Sequence, residues 1–268
     1  MLPALALASL LAEAPAVAPH ASYVTVVMME NRDYDLVAGS AQAPYFNRTL
    51  LRQGALLRNS HAVTHPSEPN YLAIFSGSTH GVSSDACPLR FTSPNLGSEL
   101  IAAGKTFAGW SESMPSTGFT GCYAGGYARK HVPWVNFTDV PAADNRVYTG
   151  WPGSAAATVN FVIPNLCDDM HDCSTRHGDE WLSKNLPAII AWDDANDGLL
   201  VVTWDEADPD NSGRNHIPTA LVGPMIRPGS SSVQNVDHYG VLRTIQDVFG
   251  LPCVAETCRA AAITGVWQ

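Results

Sequence analysis

Tyr23-Val24-Thr25-Val26-Val27-Met28-Met29 is followed at once by Glu30-Asn31-Arg32-Asp33. An apolar run of this length, rich in β-branched residues, matches a strand buried on both faces. The polar set begins where such a strand would leave its sheet. The pattern returns at Leu199-Leu200-Val201-Val202-Thr203-Trp204, which ends in Asp205-Glu206. Shorter strands are expected at Thr106–Trp110, Phe161–Pro164 and Ala220–Gly223. Helical spacing is expected from Ser67 onward, over Trp181–Trp192 and over His238–Phe249, the last closed by Gly250. Strands alternating with helices predict an α/β fold, a mainly parallel sheet covered on both faces. Ligands of such sheets bind beyond the carboxyl ends of the strands. Both strong strands end there in oxygen ligands.

The chain has 268 residues, of which 46% are apolar, enough for one sizeable domain with a real core. Its formal net charge of -10 argues against a nucleic-acid surface. A phosphorylated small molecule stays open, because a metal ion can supply a positive field locally. Residues 1–18 are rich in Leu and Ala and end in Ala14-Pro15-Ala16-Val17-Ala18, as a secretory signal peptide does. Residues 19–268 then form the single mature domain, exported to the medium, a periplasm or a cell wall. No later segment is long enough to span a bilayer. Residues 111–160, rich in Gly, Pro, Ser and aromatics, read as active-edge loops or a small cap.

Six cysteines support export. They allow fifteen pairings. Proximity favours Cys167 with Cys173, Cys253 with Cys258 and, by remainder, Cys87 with Cys122. Metal thiolates are the rival, but no C-x-x-C pair occurs.

Thr64-His65-Pro66-Ser67-Glu68-Pro69-Asn70-Tyr71 reads as a hydroxyl at the first step of a helix. Ser67 sits where an N-cap belongs, and Pro69 is tolerated in the first turn. A helix start gathers unpaired N–H groups and the positive end of the dipole, so it favours an anion. Ser67 can cap the helix, or it can attack a phosphate held by those groups. If the two acidic strand ends are neighbours, Glu30, Asn31, Asp205 and Glu206 converge. With Ser67 they give five oxygen donors, which suit a hard cation such as Ca²⁺, Mg²⁺ or Mn²⁺. A solvated loop after each strand is the plainer alternative.

Three further clusters carry candidates. In Asn165 to Cys173, a local disulfide would aim Asp169 and His171 toward a second metal, a phosphate or a proton transfer. In Tyr127 to Trp134, the most basic stretch of an acidic chain, Lys130 and His131 could clamp a phosphate or protonate a leaving alkoxide. Arg129 is equally a structural residue. His216 and His238 precede a strand and a helix, and either is a ligand or a structural histidine. His65 and His80 are weaker candidates.

Taken together these pieces resemble the bacterial phosphoesterase family of secreted acid phosphatases and phospholipases C, a branch of the alkaline-phosphatase superfamily. The matching motifs are VVMMENRDYD, THPSEPNYLAIFSGSTHG, YARKHVPW, PNLCDDMHDC, VVTWDEAD, NHIPTALVGP and DHYGVLRTIQD. They are most like the acid phosphatase subgroup, whose members include phosphatidylinositol 3-phosphate phosphatases. The resemblance implies a three-layer α/β/α sandwich, alkaline-phosphatase-like. It implies one divalent metal held by Glu30, Asn31, Ser67, Asp205 and Glu206, with Ser67 at the nucleophile position and Asn70 near phosphate oxygens. His131, His171 and His216 fall in family motifs. The nearly all-oxygen first site departs from two-zinc members of the superfamily, and zinc or iron stays open for the ion.

The expected activity is metal-assisted hydrolysis of a phosphomonoester through a phosphoseryl intermediate. Its partners are a phosphorylated small molecule or a phospholipid headgroup. A phospholipase C acting on diesters is the rival within the class. A secreted lectin-like or adhesion domain with structural calcium is the rival outside it. The oligomeric state is left open.

Overall fold

A computed structural model describes residues 20–208 and 213–268. The expected leader, 1–18, lies outside the described residues. The strands are β1 (Tyr23–Met29), β2 (Gly54–His61), β3 (Phe107–Ser111), β4 (Tyr123–Ala124), β5 (Tyr127–Ala128), β6 (Asn145–Val147), β7 (Val159–Ile163), β8 (Gly198–Trp204), β9 (His216–Val222) and β10 (Ser230–Ser232). The helices are α1 (Tyr34–Val37), α2 (Leu51–Gln53), α3 (Ser67–Ser76), α4 (Leu96–Ala102), α5 (Thr175–Asn196) and α6 (His238–Phe249). One sheet runs in the order β10-β2-β9-β8-β1-β7-β3-β6, and β4 and β5 form a separate hairpin. Within the large sheet β9 pairs antiparallel with both β8 and β2, and every other pairing is parallel.

Side chains alternate across the strands into two cores. Val24, Val26 and Met28 of β1 and Leu199 and Val201 of β8 join α3, α4 and α6 on one face. Val27 and Met29, with Leu200, Val202 and Trp204, join α5 and the α1–α2 segment on the other. Because both faces are covered, β1 and β8 are apolar almost throughout, and this continuity makes them visible in the sequence. The result is the expected three-layer sandwich.

The helix ends follow local chemistry. Asp237 caps α6 by accepting from the Gly240 N–H at 2.9 Å, and Gly250, at φ 63°, closes it. Ser174 caps α5, which extends the expected Trp181–Trp192 helix at both ends. The start of α3 differs from expectation. Pro66 is its N-cap and Ser67 its first helical residue, and the cap position makes no side-chain bond. The Ser67 hydroxyl is therefore free to point away from its own helix.

One other segment differs from expectation. Strand β2 has no clear sequence signal, because its second half, Arg58-Asn59-Ser60-His61, is polar. Residues 111–160, expected as active-edge loops or a small cap, hold short elements. They carry β4, β5 and β6 and short 3-10 turns at Arg129–His131 and Pro133–Asn136. All three expected disulfides are formed, and no described cysteine is free for a metal thiolate.

Candidate active site

Three acidic segments meet where the parallel strands end. The backbone holds them in register past the strands themselves. The Asp205 N–H donates to Met29 O at 2.9 Å, the Arg32 N–H to Glu206 O at 3.2 Å and the Glu30 N–H to Asp169 O at 2.8 Å. Asn31 takes a left-handed conformation, φ 51°, and its N–H donates to Asp205 Oδ1 at 3.1 Å. Buried His238, at the start of α6, bonds the Asp205 carbonyl through Nε2 at 2.6 Å. It is a structural histidine that fixes an acidic residue from behind.

Helix α3 delivers Ser67 into this cluster. The single hydroxyl proton is shared between Glu30 Oε2, 3.1 Å away, and Glu206 Oε1, 3.2 Å away. One turn later on the same helix, the Tyr71 hydroxyl donates to Glu30 Oε1. Glu206 Oε2 pairs with Nδ1 of His65. Glu30, Ser67, Asp205 and Glu206 are all buried.

The turn at Arg129–His131 and the loop after β7 close the other side. His131 stacks on Tyr71 with ring centroids 5.1 Å apart and planes 13° from parallel. Its Nε2 lies 3.2 Å from Glu30 Oε1 and its Nδ1 3.4 Å from Asp169 Oδ2. The Cys167–Cys173 disulfide brackets Asp169 and His171, and Asp169 Oδ1 accepts the His171 N–H at 2.7 Å. Lys130 Nζ donates to Asp85 Oδ2 at 2.9 Å and lies 3.3 Å from His171 Nε2.

The electrostatics are those of a cluster short of positive charge. Burial, then Asp205 and Asp169, push the Glu30 carboxyl well above the usual range. Burial likewise raises Asp169 and Asp205, to which the neighbouring acids add. Burial lowers His131 well below the usual imidazole value, helped by Lys130 and His171, so it is a neutral ring. Burial pulls Lys130 down, but its bond to Asp85 and the charges of Glu30 and Asp205 outweigh this and hold it protonated.

These residues fit a divalent metal. Asn31 Oδ1, Asp205 Oδ2, Asp169 Oδ2 and His131 Nε2 are buried and make no hydrogen bond within the protein, an expensive arrangement unless a cation satisfies them. Glu30, His131 and His171 also present ligand atoms within 4.8 Å of one another. An imidazole stands beside the carboxylates, so the candidate donors include nitrogen as well as oxygen. A mixed N/O donor set admits borderline ions such as zinc, manganese or iron as well as hard ones.

The structure thus gathers Glu30, Asn31, Ser67, Asp205, Glu206, Lys130, His131, Asp169 and His171. It does not bring His216 to them. That ring stacks on Tyr34 at 4.3 Å and bonds Arg58 O at 3.1 Å. Asn70 lies nearby, but its carboxamide is spent on the preceding loop. It accepts from the Val63 and Thr64 N–H groups and donates to Thr64 O and Pro66 O. It shapes the entry to α3 and offers no free donor to a phosphate. Sequence reasoning missed Tyr71 and Asp85. Tyr71 was findable as the residue one helical turn from Ser67; nothing local marks Asp85.

A family model described as the phosphoesterase family matches residues 41–252. The chain belongs to the phosphoesterase family. It is a phosphoric ester hydrolase, which sets aside the non-catalytic calcium-binding alternative. This phosphoesterase is 45% identical over 254 residues to phosphatidylinositol-3-phosphatase from Mycobacterium tuberculosis, covering 93% of this chain and 84% of that one. It is 30% identical to a probable acid phosphatase from Kluyveromyces lactis, covering 85% of this chain but 58% of that protein's length. Among solved structures, an alkaline phosphatase superfamily protein from Vibrio parahaemolyticus matches 91% of this chain and 71% of its own, with TM-score 0.61 and 10% identity. A phosphonate monoester hydrolase from Silicibacter pomeroyi matches 90% of this chain and 76% of its own, with TM-score 0.60 and 12% identity. At these identities the structural matches speak for the fold of the phosphoesterase, which is that of the alkaline phosphatase superfamily.

Proposed function

We propose that this phosphoesterase is an exported, metal-dependent phosphatase that hydrolyses phosphomonoesters through a phosphoseryl intermediate on Ser67. The observation that carries the reading is the position of the Ser67 hydroxyl. It stands at a helix start between Glu30 and Glu206, within a cluster of buried oxygen and nitrogen atoms that lack hydrogen-bond partners. Residues 19–268 act as one catalytic domain, with 111–160 supplying Lys130 and His131. The three disulfides support an oxidising compartment, and no helix among the described residues is long and apolar enough to cross a membrane.

In this reading Glu30, Asn31, Asp169, Asp205 and Glu206, with His131, would hold the ion. When bound, it neutralises phosphate charge and lowers the Ser67 pKa. The Glu68 N–H in the first turn of α3 and the Lys130 ammonium hold the phosphoryl oxygens. Ser67 Oγ attacks phosphorus in line, its proton passes to Glu30 or Glu206, and the P–O bond to the leaving alkoxide breaks. The alkoxide takes a proton from the Lys130–His171 side. Water then cleaves the Ser67 phosphoester and frees inorganic phosphate. The relative that acts on a phosphoinositide favours a phospholipid headgroup as substrate class.

Acid quenching of the enzyme during turnover of a radiolabelled phosphomonoester tests the intermediate. Label trapped on the parent and absent from Ser67→Ala is expected. Full turnover by Ser67→Ala would refute the assignment. Comparison of nitrophenol release from mono- and bis-esters of phosphate separates the phosphatase from the phospholipase C-type reading.

A further inference from the structure

The loop after α3 returns Asp85 to the start of that helix. Its Oδ1 accepts the Glu68 N–H at 3.0 Å, and its Oδ2 accepts from Lys130 Nζ at 2.9 Å. Glu68 follows Ser67 directly, so this N–H belongs to the first turn of α3. These are two of the donors that an oxyanion on Ser67 would use. Asp85 thus satisfies both with one bidentate anion, and the spacing of its two oxygens is close to that of two phosphoryl oxygens.

Its placement suits exchange. The Asp85 side chain is 27% exposed and the Lys130 side chain 10%, so the carboxylate lies on the solvent side of the ammonium. The departure of Asp85 is bounded, because Cys87, two residues on, is tied to Cys122 near the Lys130 segment. Charge makes occupancy exclusive: a carboxylate and a phosphoryl dianion cannot share two donors without strong repulsion.

We propose that Asp85 is a resident competitor for the phosphate subsite: it holds the Glu68 N–H and Lys130 until a phosphoryl group displaces it. The returning carboxylate then competes with product phosphate and limits product inhibition. The inference rests on the phosphate subsite proposed above.

The test uses the full-length, metal-loaded protein and inorganic phosphate as inhibitor of nitrophenyl phosphate hydrolysis. Asp85→Asn is expected to lower the inhibition constant for phosphate by about tenfold or more, with a parallel fall in KM. Asp85→Ser, too short to bridge both donors, is expected to do the same. An unchanged or raised inhibition constant in both, at an unchanged melting temperature, overturns the proposal and makes Asp85 a positioning residue for Lys130. Calorimetric titration of phosphate into Ser67→Ala, with and without Asp85→Asn, separates the two levels. Normal turnover by Ser67→Ala defeats the functional reading. A turnover-dead Ser67→Ala whose phosphate affinity does not rise with Asp85→Asn defeats only the competitor.

Discussion

The Ser67 hydroxyl and the Glu30 carboxylate lie 3.1 Å apart although 37 residues separate them in the chain. One residue is the first of a helix and the other the first beyond a buried strand. The helix packs on the face that Val24, Val26 and Met28 present, so apolar burial brings a helix start over a strand end. The other Glu30 oxygen faces Tyr71 and His131. Glu30 is thereby shared between the serine side and the imidazole side of the site, and its loss should affect both.

Asp205→Asn removes one charge and little volume. At a metal concentration about 100 times Kd, binding should stabilise the parent by about 2.7 kcal/mol. The variant should lose most of that gain at the same concentration. Its chelator-treated form should melt no lower than the parent's, since one of several crowded buried acids has gone. Thermal scans with and without chelator read both effects, and equal metal-induced shifts would remove Asp205 from the ligand set.

The disulfides offer a matched pair. Cys167–Cys173 and Cys253–Cys258 close loops of similar length, with sequence separations of 6 and 5. Replacing either pair by serine should cost about 2 kcal/mol of stability. The first pair brackets Asp169 and His171, whereas the second lies by the far end of α3, where the Glu256 N–H donates to Gly77 O. Metal affinity and turnover should fall for the first variant and hold for the second when both are assayed below their melting points.

Asp193, near the end of α5, is buried with neither carboxylate oxygen hydrogen-bonded. Burial, with Asp194 nearby, raises its pKa from 3.8 to about 8. The folded state therefore holds a proton that the unfolded chain releases near pH 4. The contribution is complete below that value and is lost as pH rises toward 8, an effect bounded on the order of 5 kcal/mol. Denaturant unfolding at pH 5 and pH 8 should show both proteins losing stability over that interval, because other buried acids are raised too, and Asp193→Asn losing less than the parent by the Asp193 share.

Gly109 in β3 faces the Trp134 indole so closely that an added Cβ would lie 2.0 Å from its ring. Gly109→Ala should cost about 1–3 kcal/mol through overpacking. Trp134 sits in the turn just after His131, and its indole N–H donates to Asn145 Oδ1 at 2.8 Å. Displacing it should also reduce turnover, measurable at a temperature where the variant stays folded.

The parts legible in the sequence share one property: local chemistry repeated a tertiary demand. Strands β1 and β8 are buried on both faces, so they read as apolar runs, and the acids at their ends stood out against them. Helix α6 carried its own cap and its own glycine stop. Strand β2 hid because its pairing with β9 is interrupted between Leu57 and Ser60, where exposed Arg58 and half-buried Asn59 break the apolar pattern. The role of His131 was legible as chemistry but not as geometry. Its neighbours Tyr71, Glu30 and Asp169 come from three distant segments, and only folding lowers its basicity by sealing it among them. Asp85 had no signature at all, since its partners are a backbone N–H and a lysine from another loop.

The bond from His238 to the Asp205 carbonyl ties the last helix to the chemistry although that helix supplies no reacting group. The C-terminal region thus works as a rear brace for the acidic edge. A shortened protein lacking it would keep every proposed ligand and nucleophile in its covalent sequence yet lose the scaffold that aims one of them.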